Sequence, residues 1–226
     1  MTEEQQELYD EINKLFHDSY DDNPKVKALQ ALLEDKDTRY VNALRYSTEV
    51  GKISSKALQE YAESLLGIED GYPVIMQFLE NNNYALVSDF TKAIQRINNE
   101  KNGIGINAVS APFDRDRASG IAHNATHAES VEEAKKALGV PIENLTDAVS
   151  DATIYSNAKF QNDSGLAIKV VRIRTGSKDC EFCERLAGTY GFRSEASLAS
   201  FDSARHDNCK CIIQIQYDKG FKRYHS

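Results

Sequence analysis

The chain has 226 residues, 41% apolar and 27% charged, with a mean hydropathy of −0.54 and a formal net charge of −8. That is enough apolar material for one large or two small domains with a real core. No run approaches the roughly 18 apolar residues of a membrane span, and the acidic start MTEEQQELYDEINKLF does not resemble a secretory leader. The expected setting is the reducing cytosol, with no membrane partner. Charge is uneven: residues 166–226 carry 11 Lys and Arg against 7 Asp and Glu, a net of +4, which leaves −12 for the rest. A pI near 5.2 excludes long-range attraction of the whole chain to nucleic acid. The split still suggests that the two ends meet different surroundings.

The first hundred residues read as helices. Thr2 and Gln5 form a capping box that opens a helix to about residue 19. Asn23 before Pro24 is an N-cap with proline at the first helical position, and Val26, Leu29, Leu32 and Leu33 mark its apolar face. A helix is expected from Ser54 or Ser55, lined by Leu58, Tyr61, Ala62 and Leu65 and closed by Gly67. The clearest stripe runs from about 83 to 99, with Leu86, Phe90, Ala93, Ile94 and Ile97. NGIG at 102–105 breaks it, and GIGINAVSAPF reads as a loop. Helices are expected from about 114 to 128, from a second capping box at Ser130 and Glu133 to Gly139, and from Pro141 to about 162. After Gly165 the period changes from 3.6 to 2. LAIKVVRIR and CIIQIQY, at 166–174 and 211–217, read as strands.

All four cysteines lie between or beside those strands, in CEFCERLAGTY and RHDNCKC. Cys180 and Cys183 form a C-x-x-C pair; His206, Cys209 and Cys211 follow. Tetrahedral zinc needs four N or S ligands, and two intervening residues let both thiolates of a C-x-x-C turn face inward. Cys209 and Cys211, two apart on a strand, can share a face. Four cysteines form the core set, with His206 close behind; three cysteines plus His206, without Cys211, fit as well. A redox pair or inert thiols explain less, because neither accounts for a second pair in a strand context. A closed four-ligand zinc is structural, stapling a module too small to hold its own core.

Other candidates favour ordinary readings. His123 and His127 have zincin spacing, but Asn124 stands where the general-base Glu belongs. Gly103 and Gly105 are too few and misplaced for a dinucleotide loop. Asp114 and Asp116 suit a helix start. The tail KGFKRYHS is basic and aromatic, so Lys219, Lys222, Arg223 and Tyr224 are candidates for contact with DNA or a partner.

Together, SGLAIKVVRIRTGSKDCEFCERLAGTY and RHDNCKC resemble the C-terminal region of phage head morphogenesis proteins, the MuF-like minor capsid family. Cys180, Cys183, Leu186, Gly188, His206, Asn208, Cys209 and Cys211 match its pattern. Lys210 replaces the more usual Arg, and an Arg-Thr-Glu triplet of many members is missing. The N-terminal two thirds match only in helix layout. The resemblance implies a low-copy, non-enzymatic virion component at the portal and head interior. Its partners would be the portal, other head proteins and possibly DNA, with no small-molecule substrate. It would reside in the virion head, and in the host cytoplasm during assembly. A zinc-stapled nucleic-acid-binding protein outside the virion is the second reading; an enzyme is the third, disfavoured because no nucleophile–base pair stands out.

The expected fold is α+β and mainly helical. A helical region at 1–108 precedes a MuF-like region at 109–226. The latter contains a zinc module at about 166–217, built on a two-stranded ribbon, and a basic tail at 218–226.

Overall fold

The computed structural model describes residues 1–174, 181–191, 209 and 211–217. Its helical part opens with α1 (Glu3–Asp21), capped by the expected Thr2–Gln5 box, and α2 (Pro24–Glu34), whose first amides bond the Asn23 side chain. Both follow from local chemistry, since cap oxygens satisfy amides that have no partner in the first turn.

The third helix departs from expectation. α3 runs from Tyr40 to Glu60, so Ser54 and Ser55 are interior residues and not caps. They are buried, as are Ser47 and Gly51. Small side chains here serve a close helix crossing: a Cβ on Gly51 would lie 3.1 Å from Glu143 Cα and 3.2 Å from Thr146 Cβ. Those atoms belong to α9 (Val140–Asp163), which begins one residue before the expected Pro141. Ser47, Gly51, Ser54 and Ser55 interrupt the apolar stripe in the middle of α3, which hides that the helix is continuous from Tyr40.

α4 (Ala62–Gly67) ends at the expected glycine. The next helical stretch starts earlier than its stripe suggests. It comprises α5 (Tyr72–Phe78), a π-helical turn at Leu79–Tyr84 and α6 (Ala85–Asn102). The π turn carries Asn81, Asn82 and Asn83, whose amides donate to Tyr9, Asn13 and Thr146. These asparagines are polar anchors to α1 and α9, so hydropathy alone does not register them as helix. Gly103 closes α6 in the left-handed conformation, φ 66°. α7 (Arg115–Thr126) is capped by Asp114 and α8 (Val131–Ala137) by Ser130. At α8 the return bond of the box goes from Glu129 N to Glu133 Oε2, one residue before Ser130.

Beyond Gly165, at φ 91°, the chain forms β1 (Ile168–Ile173), α10 (Glu181–Leu186), β2 (Gly188–Gly191) and β3 (Ile212–Tyr217). The fold is mainly helical α+β, as the sequence indicates. The expected ribbon of β1 and β3 is present and antiparallel, but a third strand extends it: the order is β2-β1-β3. GTYG lacks hydrophobic alternation, and cross-strand pairing makes β2 a strand. Ile168, Val170, Ile213 and Ile215 face inward and join the same core as the helices. Tyr217, at the end of β3, bonds Gln95 of α6 and Gln161 of α9 at 3.1 and 3.2 Å. The sheet is thus fastened to the bundle by apolar burial and by a buried polar cluster.

Candidate metal centre

The site grows from strand parity. On β3 and the residues leading into it, Cys209, Cys211, Ile213 and Ile215 are buried in alternation. The isoleucines enter the core and the cysteines continue the same face past the end of the strand. Glu181 and Glu184 occupy the first turn of α10, and Cys183 lies on its buried side with Leu186. Tyr190 of β2 donates to the Leu186 carbonyl at 2.7 Å, holding α10 against the sheet.

These elements converge. Cys183 Sγ lies 3.7 Å from Cys209 Sγ, and the sulfurs of Cys183, Cys209 and Cys211 all lie within 4.8 Å of one another. Ligands at a Zn–S distance of 2.3 Å in a tetrahedron are separated by about 3.8 Å. The observed spacing therefore suits co-ligands of one ion and is far from the roughly 2.05 Å of a disulfide. Soft sulfur donors in a buried site suit zinc or another soft divalent cation. The three cysteines can hold a metal ion. Cys180 and His206, the candidates for completing the set, lie outside the described residues, as do Lys219, Lys222, Arg223 and Tyr224.

One residue of this site was not singled out in the sequence. Arg172 of β1 is 2% exposed, and its Nη2 donates to Cys209 Sγ at 3.7 Å. In sequence it looks like the solvent-facing partner of Val171 and Ile173. The available signal is its parity with Ile168 and Val170, which places it on the buried face.

The remaining candidates stay apart from the centre. His123 and His127 stack at 4.1 Å on the exposed side of α7, with His127 Nδ1 3.0 Å from the His123 carbonyl oxygen. Asp114 caps α7, and Arg115 pairs with Glu80 at 2.8 Å. Beside the cysteines, a groove of about 760 Å³ is lined in part by Leu29, Leu44, Arg45, Asp147, Cys209 and Ile212. Asp147 is engaged within it, accepting from Ser47 Oγ at 2.6 Å and Thr48 Oγ1 at 3.1 Å. No described helix is long and apolar enough to cross a membrane.

Fold and site define a helical protein carrying a small antiparallel sheet with a buried cluster of three cysteines that could hold a metal ion. The family model described as VG15 protein matches residues 25–225, nearly the whole chain. The chain belongs to this family of phage or viral gene proteins. Comparison with curated proteins and with solved structures found no match.

Proposed function

We propose that this protein is a minor component of the phage head, acting near the portal in head assembly and in DNA packaging or delivery. The observation that carries the proposal is membership of a phage protein family across residues 25–225. The MuF-like spacing of Cys180, Cys183, His206, Cys209 and Cys211 adds to it. In this reading the protein is not an enzyme. Its helical part meets other head proteins, and its more basic C-terminal region, net +4 over 166–226, meets the portal or DNA.

The metal is structural zinc. Cys183, Cys209 and Cys211 hold it, with Cys180 or His206 as the fourth ligand. Zinc supplies cross-linking of α10 to the approach of β3, which little apolar burial could otherwise secure. Four protein ligands leave no open position for a reacting water.

The test is made on purified phage. Quantitative mass spectrometry of intact particles should find a few copies per head, and immobilised portal should retain the full-length protein. A chain truncated before Lys219 should be retained less at unchanged thermal stability. A protein absent from particles, whose deletion leaves filled heads at normal yield, would overturn the proposal. Salt-dependent DNA binding with no portal affinity would favour a nucleic-acid-binding role outside the virion.

A further inference from the structure

We infer that Arg172 is the positioning residue of the metal centre: its buried guanidinium grips the Cys209 thiolate and supplies counter-charge for a thiolate-rich cation site. The inference rests on the metal reading above and deepens it.

Arg172 lies on the central strand, opposite Gly188 of β2 and Ile213 of β3. At 2% exposure it stands among the largest fully buried side chains. A guanidinium stays charged at any relevant pH. Buried, it requires anionic or strongly accepting partners. Its Nη2 is 3.7 Å from Cys209 Sγ, and Cys183 Sγ is 3.7 Å beyond on the same sulfur. A metal-bound thiolate keeps lone pairs and accepts N–H donors far better than a neutral thiol does.

The charges match. Three thiolates on a dication leave a net charge of −1, and four leave −2. One guanidinium brings these to zero or −1, so Arg172 suits either fourth ligand. Outer donors of this kind orient first ligands and tune their hold on the metal. Because Arg172 belongs to the middle strand, the same contact ties the metal to the whole sheet. A side chain present only to fill the core would not need a permanent charge, and Met or Leu would fill that space without the desolvation cost.

The test uses the full-length protein and Arg172→Met, with zinc affinity measured by competition against a chromophoric chelator. Cobalt substitution provides a second readout through the thiolate-to-metal charge-transfer band. Arg172→Met should bind zinc 10- to 100-fold more weakly, roughly the loss typical of removing an outer partner, and its cobalt band should shift. Arg172→Lys, which keeps the charge without the planar fork, should recover part of the affinity. If Arg172→Met does not fold, Arg172→Gln decides, since it keeps N–H donors and loses the charge. Wild-type zinc affinity and an unshifted band in a folded, uncharged variant would overturn the inference while leaving the metal reading intact. A wild-type protein that takes up no metal would overturn both.

Discussion

Replacing Asn99 with leucine tests whether the buried polar cluster fastens the sheet to the bundle. Asn99 is 2% exposed. Its Oδ1 accepts from Gln95 Nε2 and Gln161 Nε2, each at 2.7 Å, and its Nδ2 donates to the Ile106 carbonyl at 2.7 Å. Leucine keeps the branched shape but is larger and offers no polar atom. Gln95 Nε2 keeps a second acceptor, the Tyr217 hydroxyl at 3.1 Å, so its loss is partial. Gln161, fully buried, loses the acceptor that Asn99 supplies, and the half-buried Ile106 carbonyl loses a donor. At about 1–3 kcal/mol for a fully buried orphaned group, and the low end for a half-buried one, the cost sums to about 3 kcal/mol. With a urea dependence of about 2 kcal/mol per molar, the midpoint of unfolding should fall by about 1.5 M. The assay is urea unfolding of the full chain followed by far-UV circular dichroism. Tyr217→Phe should cost less, about 1 kcal/mol, and the double variant should lose more than the sum, because Gln95 Nε2 then loses both of its acceptors. A loss under about 1 kcal/mol for Asn99→Leu would refute the view that this cluster bears load.

Three further outcomes are expected. Gly51→Ala should destabilise by about 1 kcal/mol, as overpacking against the α9 backbone (about 2) outweighs the gain in helix propensity (about 1). Gly120→Ala, on the exposed side of α7 with nothing within 4 Å, should instead stabilise; thermal melts of the pair check the sign of each. Burial is the chief cause that raises the phenol pKa of Tyr40 and of Tyr46 far above the ordinary value. Below about pH 10 both folded and unfolded phenols are protonated. Above it only the unfolded chain releases these protons, so stability should fall by up to about 3 kcal/mol per pH unit for the two. Equal urea midpoints near pH 9 and pH 11 would contradict this. Finally, Cys183→Ser, or chelation of the wild type, should speed amide exchange in β1 at least tenfold while α3 and α9 stay protected; uniform protection throughout would remove the staple.

Much of this protein is legible in its local chemistry. Thr2, Asn23 and Ser130 announce helix starts because a side-chain oxygen beside an unbonded amide acts within one turn. Gly103 and Gly165 announce ends because their left-handed backbone favours glycine. The switch to period 2 after Gly165 and the shared face of Cys209 and Cys211 follow equally from near neighbours, since parity is a property of a short segment. What required tertiary structure was every feature created by a partner distant in the chain. Ser47 and Gly51 are helix interior where α9 passes close by, and Ser54 and Ser55 continue the same helix instead of starting one. Asn81, Asn82 and Asn83 are helical because α1 and α9 receive their amides. GTYG is a strand because β1 pairs with it. Arg172 is buried on the inward face of β1, where its guanidinium reaches the Cys209 sulfur from 37 residues away, and a charge enters a core only where distant residues supply partners for it.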